Sequence, residues 1–334
     1  MDFLDVTKDD IANFNDRLTY KLIIEEGKKI MEFMKRITDP NNRIFALARE
    51  GERLPNIFLL LVAFVLIFVV SVFCFVVVFI SIPSEWKKAI GQEEIFSLFI
   101  LFPIFFYLIS VWIRSYEKRS IETLGFVKEG RFWSYVRGFL FGTGTMALTV
   151  TLMMISGVIS IHGGLLPQGI ISISGIFLLL LGFIVQGGTE EVLTRGWILP
   201  VVGARYKPWI GIAVSTLLFS LLHLGNMGIN ILSIINLALV GFFLAFYCLH
   251  EGNIWGVCGW HSAWNWTQGN LFGLEVSGVD PIGGSLIDLE SAGPQFLSGG
   301  EFGPEGSVMT TIALIIAIAV IPLIKNSNNL TLSD

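Results

Sequence analysis

Charge is what this chain has least of. Asp, Glu, Lys and Arg make up 15% of its 334 residues, against 53% hydrophobic residues, and the mean hydropathy is +0.71. A soluble domain carries about 25% charged residues, so a soluble globular fold is excluded and a polytopic membrane protein is expected. The net charge of −5 argues against nucleic acid as a partner. Cysteine is scarce too. Cys74, Cys248 and Cys258 each lie in or beside an apolar run, and without CxxC spacing they make neither a disulfide framework nor a zinc-thiolate site. No apolar run opens the chain, so no cleavable signal peptide is expected. Internal repeats, direct or inverted, are also missing, which disfavours a transporter.

What fills the chain instead is apolar runs of membrane-spanning length. They lie near 57–80, 95–114, 136–160, 170–200, 209–226, 229–250, 253–274 and 308–324. The expected fold class is all-α, an integral membrane protein with about eight transmembrane helices. Residues 1–56 precede the first run. There Ile11, Phe14, Leu18 and Leu22, then Ile30, Met34 and Ile37, recur at helical spacing until Asp39-Pro40 ends the pattern, as in a cytoplasmic amphipathic segment. A transmembrane domain over 57–325 follows, with its core motifs at 186–270, and 326–334 is a short tail. Lys and Arg set the orientation. They gather in the N-terminal segment, in 115–135 and at Arg205 and Lys207. The connections at 161–169, 227–228 and 251–252 have none, nor has the loop at 275–307, which carries six acids. Both termini are therefore expected on the cytoplasmic side of the plasma membrane. The Gly-, Ser- and Pro-rich loop 275–307 is expected to be extracytoplasmic and partly disordered.

One stretch resists a bland reading: Gly187-Gly188-Thr189-Glu190-Glu191-Val192-Leu193-Thr194-Arg195-Gly196, which continues an apolar run. An ionisable side chain near the bilayer centre costs about 2.5–3.5 kcal/mol on insertion scales. Glu191 and Arg195 are i,i+4 with the acid first, so they can pair on one helix face. Glu190 points about 100° away, which leaves it available for chemistry. Two histidines join it. His223 lies in Phe219-Ser220-Leu221-Leu222-His223 and His261 in His261-Ser262-Ala263-Trp264-Asn265, each inside an apolar run, with Asn265 on the face of His261. His162 and His250 read as surface residues. Counting about 1.5 Å per residue from the cytoplasmic helix ends puts Glu190, His223 and His261 about 15, 21 and 12 Å deep. Modest tilts would bring them level, in a cavity expected to open to the cytoplasm or laterally to lipid.

Glu-Glu-x-x-x-Arg (190–195), Phe-x-x-x-His (219–223) and His-x-x-x-Asn (261–265), in this order on successive hydrophobic helices, resemble the CAAX-protease and bacteriocin-processing family of intramembrane endopeptidases, which includes the type II CAAX prenyl endopeptidases. The resemblance covers roughly residues 110–325, including the surroundings of Gly125. It implies an endopeptidase acting on a lipidated, CAAX-like, or otherwise hydrophobic peptide or protein at the membrane. It implies Glu190 as the base that takes a proton from water, His223 as a holder of the same water, and His261 and Asn265 as donors to the oxyanion. Glu191, Arg195 and Phe219 would support the site. Two chemistries stay open. Glu190, His223 and His261 could hold a Zn2+ ion with water in its fourth position, or the same groups could work as a metal-free glutamate protease. Readings from other classes are a catalytically inactive membrane scaffold and an ion or proton carrier built on the buried Glu/His cluster.

Overall fold

Asn56 starts the first long helix by accepting a hydrogen bond from the Leu59 amide (2.9 Å), and a predominantly apolar run of 25 residues follows as Ile57–Ser81 (α1). The computed structural model describes residues 24–25, 27–90, 94–163 and 170–324. Glu94–Glu117 (α2), Arg131–Ile155 (α3), Ser174–Arg205 (α4) and Ile231–Glu251 (α6) join α1 as five helices long and apolar enough to cross a membrane. Pro208–Leu222 (α5), Trp255–Trp266 (α7) and Val308–Val320 (α8) have 15, 12 and 13 residues. At about 1.5 Å per residue they span about 18–22 Å, less than the roughly 30 Å hydrocarbon core. The chain is thus an all-α integral membrane protein. Its β structure among the described residues is one antiparallel pair, Ile159–Gly163 (β1) with Asp288–Ser291 (β2), and an isolated bridge between Val276 and Val279.

Local chemistry fixes where the helices begin and end. Proline stands at the first position of α5, where its missing N–H costs nothing. A reciprocal capping box between Asn230 and Ser233 opens α6, and Gly252 ends it in the left-handed conformation. Glycines then let helices touch backbone to backbone. A Cβ on Gly138 of α3 would lie 1.9 Å from the Gly256 carbonyl oxygen, and one on Gly259 of α7 would lie 2.2 Å from the Tyr135 carbonyl oxygen. Small residues at a transmembrane interface allow this approach, and here they press α7 against α3. On another side of α7 a Cβ at Gly187 of α4 would meet the Ser262 amide nitrogen at 3.0 Å. The result is that α4 and α7, which carry the sequence motifs, run in close contact.

The bundle has two distinct ends. At one, residues 27–37 and the helix Arg43–Arg49 fold under the bundle, burying Phe33, Ile37, Ile44, Phe45 and Ala48 in its main core. Asn42 Nδ2 donates to the Leu249 carbonyl (2.9 Å), Arg43 pairs with Glu129 (3.4 Å), Trp255 Nε1 donates to the Val127 carbonyl (2.7 Å), and Arg205 donates to the Leu54 carbonyl. His250 is covered by this layer, contrary to its reading as a surface residue. It is buried, its Nδ1 accepts from Arg36 Nη2 (2.6 Å) and its Nε2 faces the Ile324 carbonyl (2.8 Å). Ile11, Phe14, Leu18, Leu22 and the tail at 326–334 lie outside the described residues.

The other end is built from the 223–230 connection and the loop after α7. That loop was expected to be partly disordered, but it is folded. Asn226 Nδ2 donates to the Ser277 carbonyl (2.8 Å), and Asn236 Nδ2 donates to the carbonyls of Glu305 and Ser307 (2.8 Å each). The Glu305 carboxylate accepts from the Ser277 amide (2.6 Å), its hydroxyl (2.7 Å) and Trp264 Nε1 (2.9 Å). Gly278, Gly299 and Gly303 adopt positive φ within this loop. The glycine content that reads as disorder is turn chemistry.

Candidate active site

The site is assembled from α4, α5 and α7, and α4 changes its winding there. The α-helix of α4 gives way at Glu191 to a π-helical turn, Val192–Ile198, before resuming as Leu199–Arg205. A π-turn inside a long helix is commonly found at functional sites. The adjacent acids separate as their spacing requires. The Glu191 side chain is fully buried, whereas that of Glu190 keeps 15% of its surface exposed and lines a cavity.

Glu191 is the centre of a buried network. Its Oε1 accepts from Arg195 Nη1 at 3.0 Å and from His261 Nδ1 at 2.8 Å, so one carboxylate oxygen joins α4 to α7. Arg195 donates further to the Thr194 hydroxyl (2.7 Å) and to the Gly241 carbonyl of α6 (3.1 Å), and its Cζ lies 4.8 Å from the centre of the Phe219 ring. That distance suits a cation–π contact. Phe219 also packs against both histidines, with ring centroids 4.8 Å from His223 and 6.0 Å from His261. The three residues expected to support the site are therefore in direct contact with one another or with its histidines.

Glu190 has a partner that the sequence reading did not name. Gln186, one helical turn earlier, donates Nε2 to Glu190 Oε1 at 2.8 Å, and its own Oε1 accepts from Asn265 Nδ2 at 2.9 Å. Asn265, Gln186 and Glu190 form a chain of hydrogen bonds from α7 to α4. The other carboxylate oxygen, Oε2, faces His261 Nε2 at 3.7 Å, beyond a direct hydrogen bond. His223, at the end of α5, donates Nδ1 to the Phe219 carbonyl at 2.8 Å.

Glu190, His223, His261 and Asn265 all line one cavity of about 310 Å3, together with Gln186, Phe219 and Trp260. The structure thus brings the four candidate catalytic residues to one space. Among the described residues, no group of three His, Cys, Asp or Glu side chains stands in metal-binding geometry. The cavity does not extend toward Arg205 and Lys207, the end where a cytoplasmic opening is expected. Away from Glu190 its walls are Glu94 and Ser97 at the start of α2, Asn226, and Ser277, Asp280 and Glu305 of the loop after α7. These residues lie at the end of the bundle away from Arg205 and Lys207.

Gln186 could have been found in the sequence. It stands in an apolar helix at i−4 from Glu190, the same spacing that identified the Glu191–Arg195 pair. The contact of His261 with Glu191 has no such signal, because 70 residues separate the two.

Residues 172–267 match the family described as type II CAAX prenyl endopeptidase Rce1-like. No curated protein and no solved structure matches the chain. The matched segment runs through α4, α5, α6 and α7 and includes every residue of the two networks around Glu190 and Glu191. The match over these residues is to the group that the three motifs of the chain resemble.

Proposed function

We propose that this chain is an intramembrane endopeptidase that hydrolyses a peptide bond of a lipidated or hydrophobic membrane-associated substrate, using water activated by Glu190. The observation that carries the reading is the division between the two acids. Glu191 is consumed by Arg195 and His261, whereas Glu190 faces the cavity with one oxygen fixed by Gln186 and the other turned toward His261. A carboxylate held in one rotamer with a free oxygen in a small cavity is what a general base needs.

The histidine hydrogen bonds support a role for each remaining residue. His223 donates through Nδ1, so in its neutral form Nε2 is an acceptor. It can hold one hydrogen of a water while Glu190 takes the other. His261 donates Nδ1 to Glu191 and presents Nε2 to the cavity. To stabilise an oxyanion it must also be protonated at Nε2, and Glu190 and Glu191 are the carboxylates beside that imidazolium. Asn265 spends one N–H on Gln186 and keeps a second for the oxyanion. One such donor is typically worth about 2.7–4 kcal/mol in the transition state. After attack, the proton taken by Glu190 passes to the leaving amine, and the peptide bond breaks. No step here requires a metal. Both termini lie on the cytoplasmic side of the plasma membrane in this reading.

The test is Glu190→Gln in purified, detergent-solubilised protein given a panel of hydrophobic and prenylated peptides. The amide is nearly isosteric, so the variant is expected to fold, insert and melt like the parent while peptide cleavage is lost. Cleavage by the variant at an undiminished rate would remove Glu190 as the base. Activity that survives chelation in protein free of zinc is expected. Stoichiometric zinc whose removal abolishes cleavage would replace the metal-free chemistry.

A further inference from the structure

The direction of the cavity, combined with the charge of the two bundle ends, bears on which side of the membrane the substrate comes from. Lys128, Arg131, Arg205 and Lys207 belong to the end covered by residues 27–56, which themselves include Lys28, Lys35, Arg36, Arg43, Arg49 and Arg53. Hydrogen bonds and ion pairs tie these segments together: Arg43 to Glu129, Arg205 to the Leu54 carbonyl, and the Arg53 amide to the Glu117 carbonyl (3.3 Å). The opposite end has Lys87 and Lys88, and neither the 223–230 connection nor the loop at 272–307 has a single Lys or Arg. By the positive-inside bias the first end is cytoplasmic.

The cavity holding Glu190 runs toward the second end. None of its lining residues comes from 118–130, 199–209 or 249–256, the segments of the basic end. It abuts a second cavity of about 590 Å3, and the two share Glu94, Val279 and Asp280. Glu94, Val279, Asp280 and Glu301 on this outer cavity are exposed. Carboxylates are costly in hydrocarbon, so their presence at the mouth marks it as a water-filled opening. Helix length gives the same sense. His223 closes α5, about 22 Å from its start at Pro208 at 1.5 Å per residue, which leaves about 8 Å of a 30 Å core on the far side.

We infer that the active site is entered from the extracytoplasmic side. The substrate is then an exported peptide or the extracytoplasmic flank of a membrane-inserted segment, rather than a prenylated C-terminus presented by the cytoplasm. This rests on the endopeptidase reading for its substrate, but the side of entry stands on geometry and charge alone. The route is hydrated from the outer cavity to Glu190, and the loop carrying Ser277, Asp280 and Glu305 forms its wall.

The experiment uses the full chain in spheroplasts of a bacterial host, with a membrane-impermeant maleimide. Val279→Cys at the shared mouth should be labelled in intact spheroplasts, and Glu129→Cys at the basic end only after permeabilisation. Labelling of Glu129→Cys in intact spheroplasts, with Val279→Cys reactive only after permeabilisation, overturns the proposal. Cleavage of an impermeant peptide is measured alongside in sealed right-side-out and inverted vesicles. Cleavage confined to right-side-out vesicles supports external entry, and cleavage confined to inverted vesicles overturns it. If neither orientation nor detergent-solubilised protein cuts any peptide, the endopeptidase reading fails, while the labelling still decides which way the cavity faces.

Discussion

Replacing Arg195 by Ala isolates the energetic role of the buried network. Arg195 is fully buried and supplies the donor at 3.0 Å that neutralises Glu191. Without it, Glu191 keeps one hydrogen bond, from His261 Nδ1 at 2.8 Å, and its second oxygen, Oε2, is already buried with no hydrogen-bond partner among the described residues. Removing one member of a buried pair typically costs about 3–5 kcal/mol. The remaining hydrogen bond to the charged carboxylate retains about 1.5–3 kcal/mol of stabilisation, which sets the expected loss near the lower bound, about 3 kcal/mol. The cation–π contact over Phe219 adds about 0.5–2 kcal/mol to that loss. The assay is thermal unfolding in detergent, followed by intrinsic tryptophan fluorescence, together with accumulation in membranes. Glu191→Gln combined with Arg195→Met removes both charges and should unfold at a higher temperature than Arg195→Ala alone. An Arg195→Ala protein that accumulates and melts like the parent would refute the argument that Glu191 depends on this partner. So would a double variant that is less stable than the single one.

Three further outcomes follow from particular contacts. Gln186→Ala should lower kcat on the order of 100-fold, the cost of misplacing a catalytic group by about 1 Å, with KM and melting temperature little changed; steady-state kinetics of the purified protein decide it. Gly259→Val should destabilise the bundle by at least about 1–3 kcal/mol, because its Cβ would lie 2.2 Å from the Tyr135 carbonyl oxygen on a facing backbone. Gly144→Ala on α3 is the control: nothing lies within 4 Å of its added Cβ, so the same melting assay should show no loss and a gain of up to about 1 kcal/mol from helix propensity.

Much of the fold was legible because a membrane imposes simple rules on sequence. Apolar length located the helices to within a few residues in most cases, and i,i+4 spacing identified Glu191 and Arg195 as a pair on one helix. What was not legible required contacts between distant segments. His250 reads as the polar end of α6 until the layer formed by residues 27–49 covers it. The loop after α7 has a composition that fits disorder equally well, and only the buried Glu305 carboxylate, with donors from Ser277 and Trp264, shows why it is folded. The direction of the cavity, away from the end that carries Arg205 and Lys207, is not legible for a related reason. Depth along single helices places Glu190, His223 and His261 near one level but does not say which end of the space between helices is filled. Trp197 and Trp260 are among the largest fully buried side chains. Trp197 lies on the basic side of Glu190 and gives its Nε1 hydrogen to Glu117 at 2.6 Å, so that side is occupied by packed protein.

In the proposed mechanism the two adjacent acids also tie catalysis to stability. Glu191 Oε1 accepts from both Arg195 and His261. The atom that neutralises a buried guanidinium therefore also fixes which imidazole nitrogen carries hydrogen toward the interior and which faces the cavity. Glu190 has no such double duty. Its partner Gln186 is neutral, so losing the Glu190 charge leaves no cation stranded, and losing Gln186 leaves a carboxylate that still reaches the cavity. Within a single stretch, one acid is bound into the fold and the other faces the cavity. The difference arises from a rotation of about 100° between consecutive residues of a helix, together with what α7 brings to each face: His261 Nδ1 to Glu191, and the Asn265 amide, through Gln186, to Glu190.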